Sequence, residues 1–179
     1  MMDRTLQKAL HTQLDKSPER RALAYINYRG EFSWRTLEEV CRQAAGYSAR
    51  LKEWGLDRGD VCILVIPSDS FCAVLLIAIL LLGAVPLLVA PPIIQLKGRY
   101  SNLTQVLKHM IRKTKPKIVI APKVMVDMRE ELETSRRKTR IIFGEENLSP
   151  DPTAAMPQAM PLESDIAAMQ LTSGTTGFP

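Results

Sequence analysis

Between Ser70 and Gln95 the chain carries no charged side chain, and Phe71 to Leu82 is nearly pure hydrocarbon. A stretch like this must leave water, either into a bilayer or into a protein core. Crossing a bilayer takes about 20 consecutive apolar residues, whereas Gly83 interrupts this run after 12. Pro86, Pro91 and Pro92 then break what remains into an extended piece. The run reads as a fully buried helix followed by a buried strand, Val85 to Val89.

Elements on either side fit the same design. Arg58-Gly59-Asp60 turns into Val61-Cys62-Ile63-Leu64-Val65-Ile66, a continuous apolar run of strand length that suits a sheet interior covered on both faces. Pro67 ends it and Ser68-Asp69-Ser70 can cap the apolar helix, which completes a strand, helix, strand unit. Leu103, Val106, Leu107, Met110 and Ile111 mark a further helix, followed by strands at Lys117 to Ala121 and Arg140 to Phe143 with a helix near 124–135 between them. Upstream, Leu6, Ala9, Leu10 and Leu14 predict a peripheral amphipathic helix over 4–16. Two short strands turn at Arg29-Gly30, and Ser33 is placed to cap a helix running to Trp54 and Gly55. The alternation predicts an α/β fold with a largely parallel sheet and helical crossovers. Residues 144–164, with Pro150, Pro152, Pro157 and Pro161, read as an irregular connection into a short strand over Asp165 to Leu171.

Composition narrows the function classes. Of 179 residues, 46% are hydrophobic and 24% charged, as in globular proteins rather than disordered or fibrous ones. The net charge of +5 conceals a gradient: residues 1–96 sum to +1, residues 97–140 to +9 and residues 141–179 to −5. Cys41, Cys62 and Cys72 form no C-x-x-C pair and sit among apolar neighbours, as buried free thiols do. They fit a reducing cytoplasm, and Met1-Met2-Asp3-Arg4 leads into no secretory apolar segment. His11 and His109 stand alone, so no zinc site is expected.

The stretch Thr172-Ser173-Gly174-Thr175-Thr176-Gly177 presents backbone N–H groups and hydroxyls with little steric bulk, the chemistry that phosphate oxygens require. It is not the Walker spacing, since no G-x-x-x-x-G-K-[ST] occurs. Composition alone would sooner fit a flexible tail.

With Phe178 and Pro179 the stretch resembles the phosphate-loop signature of the adenylate-forming superfamily of acyl-CoA synthetases, peptide-synthetase adenylation domains and luciferases. Phe32-Ser33-Trp34-Arg35-Thr36-Leu37, Trp54-Gly55-Leu56-Asp57-Arg58-Gly59-Asp60-Val61 and Leu82-Gly83-Ala84-Val85-Pro86-Leu87 resemble three further segments of that family in the same order. The resemblance implies that residues 1–179 are the N-terminal part of an AMP-binding (adenylation) domain, an incomplete subdomain of an acyl-adenylate synthetase-like fold, ending in the phosphate-binding loop 171–179. It implies an ATP- and Mg2+-dependent ligase that joins a fatty acid or related carboxylate to AMP, releases pyrophosphate and hands the acyl group to a thiol. Thr172, Ser173, Thr175 and Thr176 would donate to the β- and γ-phosphates, and Gly174 and Gly177 would allow close approach. The catalytic lysine and the adenine, ribose and magnesium contacts follow this loop in the family. No catalytic residue is therefore expected within 1–179, and the segment is expected to be inactive alone.

Val89-Ala90-Pro91-Pro92 followed by the basic Gln95-Leu96-Lys97-Gly98-Arg99-Tyr100 looks more like the fatty acyl-AMP ligases, which use an acyl carrier protein, than like ligases that use CoA. The alternative acceptor is CoA. A third reading, a basic binding module without catalysis, draws on Lys108, Arg112, Lys113, Lys115 and Lys117 and on Arg136-Arg137-Lys138 with Arg140. Only Tyr100 accompanies them, so base-stacking platforms are lacking and no nucleic-acid partner is expected. The patch would instead suit an acidic carrier protein.

Overall fold

The structure is a computed structural model and describes residues 5–26, 29–91, 100–133, 138–158 and 161–171. Strands β3 (Val61–Leu64), β4 (Val85–Leu88), β5 (Ile118–Ala121), β6 (Arg140–Phe143) and β7 (Met169–Gln170) form one parallel sheet in the order β6-β5-β3-β4-β7. The expected α/β fold with a parallel sheet is the observed one. A separate antiparallel hairpin, β1 (Arg21–Ile26) and β2 (Phe32–Thr36), precedes it.

Period-two alternation sorts the central strand between two cores. Cys62, Leu64 and Ile66 face one side, with helices α2 (Leu37–Glu53) and α3 (Ser70–Leu81). Ile63 and Val65 face the other, with α4 (Tyr100–Thr114) and the short α5 (Arg129–Glu133). The charge-free run is therefore a core helix. In α3, Leu75, Ala78, Ile79 and Leu81 are fully buried between the sheet and α2. Asp69 starts this helix by accepting from the Cys72 N–H at 3.0 Å. Gly83, at φ +68, turns the chain into β4 at a backbone angle that side chains disfavour. No helix among the described residues is long and apolar enough to cross a membrane.

Three local expectations change. Ser33 lies inside β2, paired with Tyr25, and the cap of α2 is Thr36, whose hydroxyl accepts from the Glu39 N–H while the Glu39 carboxylate accepts from the Thr36 N–H. Hairpin pairing extends the strand by three residues beyond Ser33 and moves the helix start with it. In α1 (Leu6–Lys16) the buried residue is Gln7, whose amide donates to the Leu80 carbonyl, while Leu6 points outward. Leu10 of the aliphatic stripe packs against the core as expected, while this polar tie to the last turn of α3 makes Gln7 the most deeply buried residue of the helix. Between β5 and β6, Lys123–Met128 forms a 3-10 helix ahead of α5 in place of one long helix, burying Met125 against the sheet.

The described parts of the connection, 144–158 and 161–168, strap across the α2 and α3 side. The Asp151 N–H donates to the Gly46 carbonyl at 3.2 Å, and a Cβ on Gly46 would fall 2.5 Å from the Asp151 carbonyl oxygen. At its far end the Arg58 guanidinium makes paired bonds of 2.8 and 2.9 Å to the Asp165 carboxylate. Asp165 also accepts from the Leu162 N–H. These bonds fix where the chain re-enters the sheet as β7.

Candidate functional site

Thr172, Ser173, Gly174, Thr175, Thr176 and Gly177 lie outside the described residues, as do Pro92 to Arg99 of the acceptor signature. What the structure defines is the element that delivers the loop. β7 adds to β4 in parallel, Leu87 opposite Met169 and Leu88 opposite Gln170, so Leu171, the last residue before the motif, stands at the carboxyl edge of the sheet. Met169 and Leu171 anchor that strand by packing on the α4 side of the core. A cleft of about 530 Å³ beside them is lined by Leu87, His109, Met110, Lys113, Thr114, Met169, Gln170 and Leu171.

The carboxyl edge is where connections diverge. α3 leaves β3 toward one face, whereas α4 and the 3-10 segment with α5 leave β4 and β5 toward the other. Such divergence opens a crevice, the usual ligand position in open parallel sheets. Near the β3 and β6 side of this edge the charge is acidic. Burial, reinforced by Asp69 and Glu146, pushes the Glu145 carboxyl above the usual range. Glu146 is held low by its own backbone N–H and by Lys123, which lies at 3.2 Å. β7 stands at the opposite flank of the sheet, three strands from β5. Among the described residues no group of three or more His, Cys, Asp or Glu side chains comes together as metal ligands.

A second cleft of about 510 Å³ separates the hairpin from the start of α3, lined by Tyr25, Ile26, Phe32, Ser68, Asp69 and Ser70 among others. Burial raises the Tyr25 phenol. Burial likewise raises the Cys41, Cys62 and Cys72 thiols, so the three are buried free cysteines that behave as core residues. Sequence reading missed the Arg58 and Asp165 clamp, because partners 107 residues apart leave no local signal. It also missed Thr36, although Thr36-Leu37-Glu38-Glu39 carries the S/T-x-x-E capping pattern.

The family model for AMP-binding enzymes matches residues 10–179. The chain belongs to the AMP-binding enzyme family. No curated protein sequence matches it. Among solved structures, the chain is similar to a fatty acyl-adenylate ligase from L. pneumophila in complex with acyl adenylate and pyrophosphate. That match has 20% identity and a TM-score of 0.74 over 98% of this chain and 29% of that one. It is similar to MbtA from Mycobacterium smegmatis at 23% identity and TM-score 0.76, over 99% and 33% of the two chains. A Mycobacterium tuberculosis fatty acyl CoA synthetase matches at 17% identity and TM-score 0.71, over 94% and 32%. These likenesses establish the fold, and the chain spans about a third of the length of the structures it matches.

Proposed function

We propose that this segment supplies the phosphate-binding part of an ATP-dependent acid–thiol ligase that activates a fatty acid as acyl-AMP. In that reaction a carboxylate oxygen attacks the α-phosphorus and pyrophosphate leaves. A thiol then attacks the acyl carbonyl and AMP leaves. The observation that carries the reading is the Thr172-Ser173-Gly174-Thr175-Thr176-Gly177 sequence following a parallel strand at the carboxyl edge of the sheet. Hydroxyls and amides of Thr172, Ser173, Thr175 and Thr176 would bind the β- and γ-phosphates of ATP, stabilising charge on the departing pyrophosphate. Gly174 and Gly177 would let the backbone approach those oxygens. Mg2+ would neutralise phosphate charge, and no described residue is assigned to hold it.

The acceptor we favour is an acyl carrier protein, on the Val89-Ala90-Pro91-Pro92 sequence and the basic connection that follows. CoA is the alternative, since an acyl CoA synthetase shares the fold to a comparable degree. The test is ATP–pyrophosphate exchange by the whole protein that carries this segment. Exchange that requires a fatty acid, and that falls about tenfold or more in Thr175→Ala, is expected. Exchange driven only by amino acids, or unaffected by the substitution, would overturn the reading. Thioester formation with carrier protein against CoA then decides the acceptor.

A further inference from the structure

The amino-terminal edge of the sheet combines two features that no part of the ligase reading uses. One is a block of unpaired cations. Lys115-Pro116-Lys117 before β5 and Lys138-Thr139-Arg140 at the start of β6 are adjacent turns. The buried Thr139 hydroxyl donates to the Pro116 carbonyl at 2.7 Å and the Arg140 N–H to the Lys117 carbonyl at 3.0 Å. Lys52, Lys115, Lys117, Lys138 and Arg140 are all exposed, and among the described residues none makes an ion pair. The Lys117 stem runs over Gly55, and the Arg140 guanidinium lies over the Trp54 ring at 5.3 Å. The carboxylates at the neighbouring turn, Asp57 and Asp60, accept from the N–H groups of Arg58 and Asp57.

The other feature is aliphatic. Arg58 ties the 161–166 stretch to the turn before β3, and the Gly59 N–H donates to the Gly83 carbonyl just ahead of β4, so this stretch lies at the same edge. There Leu6, Leu162 and Ile166 are 46%, 59% and 57% exposed around a cavity of about 230 Å³. Basic turns under β5 and β6 and protruding aliphatics under β4 and β7 thus share one side of the molecule, across a sheet about 19 Å wide.

We infer that this edge docks on an anionic lipid bilayer, with the lysines among the headgroups, the aliphatic side chains in the interface and the carboxyl edge of the sheet facing away. Lysine ammoniums on exposed turns suit a diffuse field of lipid charge, which attracts each one without a fixed partner. Leu162 and Ile166 offer the apolar contact that such binding adds. An acidic protein is a poorer fit. The aromatic ring at the basic turns, Trp54, is already covered by Arg140, which leaves no anchor of the kind specific protein interfaces are built on.

The test needs no enzymatic activity. Cosedimentation of the whole protein is measured with phosphatidylcholine vesicles that contain or lack phosphatidylglycerol, at low and high salt. Binding that requires phosphatidylglycerol and weakens as salt screens it is expected. Lys115→Glu/Lys117→Glu/Lys138→Glu should reduce it by more than about tenfold. An equal charge change on another face, Lys16→Glu/Arg20→Glu/Arg42→Glu, should reduce it far less. Leu162→Ser/Ile166→Ser should remove the portion that survives high salt. All these positions are exposed, and unchanged unfolding curves would show the variants folded. No vesicle binding, or equal loss in both charge variants, overturns the inference. Salt-sensitive retention on an immobilised acidic carrier protein without vesicle binding overturns it in favour of a protein partner.

Discussion

Helices α3 and α4 do the same topological job, each carrying the chain from one parallel strand toward the next, yet one is apolar on every side and the other amphipathic. The difference is the depth at which each sits. α3 is the inner of two helical layers, covered by the sheet beneath and α2 above, so no side of it reaches water freely. α4 is an outer layer, burying Thr104, Leu107, Met110 and Ile111 while Gln105, Arg112 and Lys113 face solvent. The bilayer-like composition of 71–82 therefore measures layer depth. The largest test of this contrast is truncation at matched sites. Leu75→Ala in α3 and Leu107→Ala in α4 remove the same atoms from side chains with no exposure. A cavity between two rigid layers collapses less, so denaturant unfolding should show a loss of about 4–5 kcal/mol for Leu75→Ala and about 2–3 kcal/mol for Leu107→Ala. Equal losses would mean that depth is not what separates the two helices.

The same contrast explains which parts of the fold were legible in the sequence. Cys62 to Leu64, Val85 to Leu87, Ile118 to Ala121 and Ile141 to Phe143 are buried, and strands covered on both faces write a continuous apolar run. Outer elements are set by a few polar contacts that leave weaker marks. Ser33 and Thr36 can both cap, and hairpin register, which keeps Ser33 in the strand, leaves the role to Thr36 with its Glu39 partner. Gln7 turns inward because the Leu80 carbonyl is there to receive it. Met125 is buried from a 3-10 turn, a geometry whose period differs from the helical one sought at 124–135. The strand sought over Asp165 to Leu171 shrinks to Met169–Gln170, because Asp165 is held by Arg58 before pairing begins. At the candidate site the Thr172 to Gly177 sequence carries the proposed chemistry, while long-range pairing with β4 positions the strand that precedes it, a contact no local spacing encodes.

A smaller effect is expected from the polar tie inside the double helical layer. The Ser48 hydroxyl lies 2.8 Å from both the Ala44 and the Ala78 carbonyl oxygens, and its single proton is shared between α2 and α3. Ser48→Ala should cost about 1 kcal/mol in urea unfolding. In a double-mutant cycle with Leu75→Ala the two losses should fail to add, because both loosen the same helix pair, whereas Ser48→Ala with Leu107→Ala should add. Additivity in both cycles would show that the two sides of the sheet respond alike.

The smallest effect separates the sides by pH. The α2 and α3 side is strapped by residues 144–168, and the strap ends at Asp165, whose carboxyl is held below its usual range first by the Arg58 guanidinium and then by the Leu162 N–H. A carboxyl depressed in the folded state binds fewer protons there than in the unfolded chain, so its contribution is complete above the ordinary carboxylate range and is lost as pH falls through the lowered folded value. Glu145, raised by burial, acts in the opposite sense and gains as it protonates. Stability of the native chain should thus decline in acid with an Asp165 component, and Asp165→Asn should flatten that decline while leaving Glu145's opposing one. Hydrogen exchange resolves where the change falls. As pH drops, amides of 161–166 and of β7 should lose protection before those of α4, and in Asp165→Asn they should be equally weak at neutral and acid pH. Simultaneous loss on both sides of the sheet would mean that the strap is not a separate unit and that acid acts on the whole fold at once.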